Sequence, residues 1–121
     1  MTPKHHIVFL TGAGISQESG ISTFRDANGL WNNHKIEEVA SPEGFEKDPQ
    51  LVLDFYNARR RQLDEVNPNE AHHLIAQLET KYSVTVLTQN IDDLHERAGS
   101  TNVLHLHGEL RKSRSSKNPN L

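Results

Sequence analysis

The sequence predicts an α/β domain: a small parallel sheet, incomplete in this chain, with a helical insertion at about residues 36–66. Three observations carry that expectation. Short apolar, β-branched runs recur at residues 6–10, 84–87 and 103–106. Helical patterns separate them, and strands separated by helices pair in parallel. A glycine-rich turn closes the first run, and polar residues close the other two.

The elements follow in chain order. Residues 6–10, HIVFL, read as a buried strand that stops at Thr11-Gly12. Residues 13–19 open a helix after the glycine turn. Residues 21–35 hold Asn28 and Gly29 with little periodicity, so they read as loop. Ser41-Pro42-Glu43 is a helix start, with Ser as N-cap and Pro at the first helical position. Asp48-Pro49 repeats that signal, and Leu51, Val52, Phe55, Leu63 and Val66 follow at roughly helical spacing. Asn67-Pro68 ends this helix. Asn69 caps the next, with Ala71, Leu74, Ile75 and Leu78 on one face. Residues 84–87 form the second strand, Asp92 to Ala98 a short helix closed by Gly99, and residues 103–106 the third strand.

Composition bounds the function. Of the 121 residues, 13 are Lys or Arg and 16 are Asp or Glu, a net charge of −3. A nucleic-acid or anionic-membrane binder usually shows a basic excess, so neither partner is expected. Cysteine is absent, which excludes disulfides, a thiol nucleophile and a thiolate zinc site within this chain. The longest apolar run is four residues, too short for a signal peptide or a membrane span, so a cytoplasmic protein is expected. Residues 1–110 carry −7 and the last eleven carry +4. The division expected is a domain over 1–110 and a basic polar tail over 111–121.

Three features meet at one rim of the expected sheet. Gly12-Ala13-Gly14 lets backbone N–H groups approach a phosphate, although a tight structural turn fits it equally. Its spacing matches neither the dinucleotide fingerprint nor a phosphate loop, because the next glycine is Gly20. The second strand ends in Thr88-Gln89-Asn90-Ile91-Asp92. Ligands bind outside the carboxyl ends of such strands, while Asn90 and Asp92 also suit plain helix capping. The third strand ends in His105-Leu106-His107-Gly108. Two residues apart, the histidines are expected to face the same way, and Gly108 leaves room beside His107.

Together these motifs resemble the sirtuin family of NAD-dependent protein deacylases. The matching stretches are GAGISQESGISTFRDANGLW at 12–31, PNEAH at 68–72, TQNID at 88–92 and HG at 107–108. The resemblance implies a Rossmann-like NAD site. In it Gly12, Ala13 and Gly14 face the pyrophosphate, and Phe24 and Arg25 border the nicotinamide end. Gln89, Asn90, Ile91 and Asp92 line the inner ribose and nicotinamide pocket. Ile15, Thr23 and Trp31 complete the implied cofactor-binding set. His107 is the implied general base, with Asn90 and Asp92 beside it. A histidine titrating near neutrality suits proton removal from a ribose hydroxyl.

Tyr56 and Arg59, three apart in FYNARR, share a helix face. They resemble the bacterial sirtuin class whose Tyr and Arg take the carboxylate of succinyl- or malonyl-lysine. A guanidinium grips a carboxylate through two hydrogen bonds. A packed tyrosine and a solvated Arg59-Arg60-Arg61 run fit the same residues.

The implied reaction yields nicotinamide, O-acyl-ADP-ribose and free lysine from acylated lysine of protein substrates, without zinc in this chain. Alternatives are a non-catalytic NAD- or partner-binding fragment and a protein ADP-ribosyltransferase. Most sirtuins carry a four-cysteine zinc ribbon after the HG motif, and Ser115 stands about where its first cysteine is expected. The family continues with strands that complete the sheet. The chain is therefore expected to be an N-terminal half, with an open sheet edge that invites self-association.

Overall fold

In the computed structural model, which describes residues 4–21, 30–31, 33–115 and 117–118, the chain folds around a three-stranded parallel sheet. β1 (His6–Thr11), β4 (Ser83–Thr88) and β5 (Val103–His105) stand in the order β1-β4-β5. Parallel pairing requires crossovers. The first carries α1 (Ala13–Gln17), a small hairpin of β2 (Leu30–Trp31) and β3 (His34–Lys35), α2 (Ile36–Val39), α3 (Pro42–Lys47), α4 (Pro49–Leu63) and α5 (Glu70–Gln77). The second carries α6 (Leu94–Ala98).

Local chemistry explains the boundaries. Ser41 Oγ accepts the Gly44 N–H, and Asp48 Oδ1 accepts the Leu51 N–H, so both Pro-initiated helices start where the sequence indicates. Asn69 and His72 form a reciprocal cap on α5. Gly99 closes α6 at φ 114. Gly44 is required by close approach, because a Cβ there would lie 2.5 Å from the Glu37 carbonyl oxygen. The hairpin lies where loop was expected, because two-residue strands carry too little periodicity to register in the sequence, whereas α2 opens the expected helical insertion. α6 begins two residues later than expected: Asp93 is its N-cap, and Asp92, one residue before it, accepts the Leu94 N–H.

Side-chain alternation gives the sheet two unlike faces. Phe9, Val86 and Val103 occupy one row of the covered face, where Ile15 and Ile75 pack. The next row is Thr11, Thr88 and His105, so the sheet turns polar at its carboxyl edge. On the opposite face Leu10, Leu87 and Leu104 line up, and Leu10 is 67% exposed. The apolar runs are thus covered on one face only among the described residues. A second cluster of Trp31, Val39 and Phe55 holds the insertion together. A third, of Leu63, Val66, Leu94 and Leu110, fastens α4 to the segment beyond β5.

Candidate functional site

The polar edge of the sheet opens into a cleft of about 570 Å³. Its walls come from α1, α4, the turn after β4 and the segment after β5. Ala13, Trp31, Arg59, Gln89, Asn90, Ile91, Asp92 and His107 all line it. Sequence positions 13 and 107 thus face one volume because parallel strands bring their carboxyl ends to the same rim.

The turn after β4 is held from several sides. The Gln89 N–H donates to the Thr11 carbonyl, and the Asn90 N–H donates to Thr88 Oγ1. Asn90 Nδ2 donates to the Gly12 carbonyl at 2.9 Å, which ties the glycine turn to this segment. Asp92 is 5% exposed. Its Oδ1 accepts the Leu94 N–H at 3.1 Å, and its Oδ2 accepts the Ser16 hydroxyl at 2.8 Å. Asp92 thus holds the first N–H of α6 and also lines the cleft.

Behind Asp92 lie two fully buried histidines, His72 and His95, with ring centroids 5.0 Å apart. His72 Nδ1 accepts the Asn69 N–H, which leaves its proton on Nε2, 3.4 Å from Ser16 Oγ. Burial holds the His72 pKa below its usual value, against the pull of Asp92. His95 Nε2 lies 3.0 Å from Thr11 Oγ1. Burial, with His72 nearby, lowers its pKa to about 4. Both rings are neutral near pH 7. Sequence reading found neither Ser16 nor His95; their signal is position alone, inside a motif and at a strand-to-helix junction.

His105 and His107 part company. β5 ends at His105, so strand alternation does not reach His107. The expected shared direction fails for that reason. His107 is exposed on the cleft wall. His105 is buried beside Thr88, its Nδ1 2.8 Å from the Asn90 carbonyl oxygen and its Nε2 2.7 Å from Glu96 Oε2. Glu96, His105 and Glu109 could hold a metal ion, since their ligand atoms lie within 4.8 Å. The 2.7 Å contact is nevertheless a hydrogen-bond separation, shorter than the roughly 3 Å between two donors on one ion. The trio is a histidine hydrogen-bonded to one carboxylate with a second nearby.

Arg59 reaches the cleft from α4. Its guanidinium carbon sits 5.2 Å from the Phe55 ring centroid, and its Nε is buried without a hydrogen-bond partner. Burial, then repulsion from Arg61, lowers its pKa. Tyr56 is half-buried and packs edge-on against Trp31 and Phe55, and burial raises its pKa. Gly12, Gly14, Ile15 and Tyr56 are not on the cleft wall. A Cβ built at Gly12 or Gly14 would meet nothing within 4 Å. Thr23, Phe24 and Arg25 lie outside the described residues.

A parallel sheet with this cleft at its carboxyl edge defines a Rossmann-like α/β protein. A sequence model described as the Sir2 family matches residues 12–119, and the chain belongs to that family. It is 66% identical over 116 residues to an NAD-dependent protein deacylase of Helicobacter pylori, covering 96% of this chain and 51% of that protein. The chain spans about half the length of the curated relatives it matches. A crystal structure of a Sir2 homologue–NAD complex superposes with a TM-score of 0.78 at 51% identity, over 89% of this chain and 43% of that one. A Sir2 complex with an inhibitor, 2′-O-acetyl-ADP-ribose and a deacetylated p53 peptide gives 0.68 at 39% identity, over 87% and 40%.

Proposed function

We propose that this chain supplies the nicotinamide-and-ribose wall of an NAD-dependent protein-lysine deacylase. The observation that carries the reading is the meeting of Asn90, Asp92 and His107 in one cleft with the glycine turn at its rim. The residues fit the cofactor. A buried carboxylate suits a carboxamide N–H, and an amide suits ribose hydroxyls. The space beside Gly12 and Gly14 is open, and neither glycine has positive φ. Internal packing and backbone strain therefore leave those positions free for a close backbone approach to a phosphate.

NAD supplies a ribose carbon activated by loss of nicotinamide. The chain's own residues position and exchange protons around it. Asp92, held by Ser16 and the Leu94 N–H, is a fixed acceptor. Asn90, anchored on Gly12, orients the ribose. His107, solvent-facing at the cleft, takes a proton from a ribose hydroxyl. Arg59, on the cleft wall, would meet the acyl group, with Tyr56 packed on Trp31 and Phe55 off that wall. The Arg59 Nε, buried and without a partner among the described residues, supports an acidic acyl chain such as succinyl or malonyl. The substrate class is acylated lysine in proteins, and the expected compartment is the cytoplasm. No described helix is long and apolar enough to cross a membrane. A second reading, cofactor or partner binding without turnover, is favoured by the uncovered sheet face.

The test is a titration of the chain with NAD, followed through backbone amide shifts. Perturbations confined to residues 12–16 and 89–92 support the reading. A flat titration at millimolar NAD overturns it. Turnover is tested in a chimera that joins this chain to the unmatched half of the Helicobacter pylori deacylase. There His107→Ala is expected to lower deacylation about 10²–10⁴-fold. Wild-type rates in that variant would remove His107 from the role.

A further inference from the structure

We propose that the His105 imidazolium is a positioning residue for the cleft wall. It bridges the Asn90 carbonyl to the Glu96 carboxylate and so fixes the segment from Asn90 to Asp92 against the ligand. The ligand named here rests on the NAD reading above; the bridge itself does not.

The geometry assigns the protons. A carbonyl oxygen only accepts, so His105 Nδ1, 2.8 Å from the Asn90 oxygen, carries a hydrogen. Glu96 Oε2, 2.7 Å from Nε2, is a carboxylate oxygen, which also accepts. Both ring nitrogens therefore donate, and the ring is cationic. Its side chain is 5% exposed, so these two acceptors replace water around it. Glu109 Oε1 adds a second negative charge at 3.7 Å.

Among the described residues, Glu96, Glu109, Lys112 and His95 enter this balance. Glu96 faces the ring from α6, and Glu109 from the segment after β5. Lys112 sits on the other oxygen of Glu109 at 2.9 Å and draws off part of its charge. His95, on α6 and within electrostatic range of His105, is neutral near pH 7 and adds no repulsion there. Burial opposes the His105 charge, but the Asn90 and Glu96 hydrogen bonds, with the charges of Glu96 and Glu109, outweigh it and raise the pKa.

The consequence for the wall is specific. Asn90 is clamped at both ends, its side chain on Gly12 and its carbonyl on His105. The Leu110 N–H donates to the Ile91 carbonyl at 2.7 Å just beyond. Loss of one ring proton leaves a lone pair facing either the Asn90 carbonyl or Glu96. The grip on Asn90 then weakens, and the 90–91 peptide is free to rotate.

The experiment is an NMR titration of the 121-residue chain, without ligand and then with NAD. The expected result is that both His105 ring nitrogens are protonated at pH 7. The Asn90 and Ile91 amide shifts should move with the His105 midpoint, and NAD affinity should fall about tenfold above it. Glu96→Gln should lower the His105 midpoint and carry the amide and affinity curves with it. His105→Gln, which keeps one donor for Asn90, should restore most affinity and flatten the pH dependence; His105→Leu should lose both. Amides that stay flat through the His105 midpoint would overturn the proposal, as would a singly protonated ring at pH 7. Coupled amides with no NAD binding at any pH would uphold the bridge and sink the cofactor reading instead.

Discussion

Ser16 and Asp92 stand 76 residues apart in the chain and share a buried hydrogen bond of 2.8 Å, the serine hydroxyl donating. That bond joins α1 to the turn after β4. The serine oxygen also lies 3.4 Å from His72 Nε2, so the bond continues inward to a neutral imidazole. Removing either partner would leave one buried hydrogen-bonding atom of the other unmet, the Asp92 Oδ2 or the Ser16 O–H, at a cost of about 1–3 kcal/mol.

The buried histidines make stability depend on pH in two directions. His95 titrates near 4 in the folded chain and near 6.5 when unfolded. Between those values the unfolded chain binds the extra proton, so stability falls as the solution is acidified, by on the order of 3 kcal/mol for this group. His72 shifts the same way and adds to the loss. His105 is raised, so its contribution is complete below about 6.5 and disappears as pH rises through its folded value. Urea unfolding from pH 4 to 9 should show a maximum near neutrality. His105→Gln should flatten the alkaline limb and leave the acid limb intact.

Much of this was legible in the sequence, and the reasons differ by element. The three strands showed because their apolar runs end abruptly at Gly12, Thr88 and His107-Gly108. The helix starts showed because Ser41, Asp48 and Asn69 are side-chain caps with direct chemistry. The β2–β3 hairpin did not show, since Leu30–Trp31 and His34–Lys35 are held by tertiary packing of Trp31 on Phe55. Asn90, Asp92 and His107 were readable as polar residues at strand ends. The roles of Ser16, His95 and His105 were not, because each depends on a partner far away in the chain.

Gly14 offers a test in which stability and binding move in opposite directions. It lies within α1, and a Cβ there meets nothing within 4 Å. Gly14→Ala should stabilise the chain by roughly 0.5–1 kcal/mol through helix propensity. On the proposed cofactor reading the same methyl would stand where a pyrophosphate approaches the backbone, so NAD affinity should drop. A higher urea midpoint with unchanged NAD affinity would remove the glycine turn from the binding site.

The uncovered sheet face predicts solution behaviour. Leu10 and Leu104 are 67% and 52% exposed, and Val8 and Leu106 extend the patch. A contiguous apolar surface beside an unpaired strand promotes association. The chain should bind a hydrophobic dye and show concentration-dependent association in sedimentation. Leu10→Lys with Leu104→Lys should reduce both and leave the circular dichroism unchanged. Unchanged association in the double variant would place the contact elsewhere.

Arg59 offers a test of the acidic-acyl preference proposed above. Its Nε is buried without a partner, and its positive charge is disfavoured by burial and by Arg61. Among the described residues no carboxylate lies within ion-pair distance of it. Such a guanidinium is stabilised by an incoming anion more than one already paired. A succinyl or malonyl carboxylate would supply that anion; an acetyl group would not. A charged hydrogen bond contributes about 1.5–3 kcal/mol, so preference for the acidic acyl group should be about ten- to a hundred-fold. Arg59→Met keeps the packing on Phe55 and removes the charge. In the chimera with the Helicobacter pylori half it should cut succinyl-lysine turnover by that factor and leave acetyl-lysine turnover nearly unchanged. Equal loss on both substrates would make Arg59 structural. No loss on either would make it a surface charge, and the acidic-acyl assignment would fall while the NAD assignment stood.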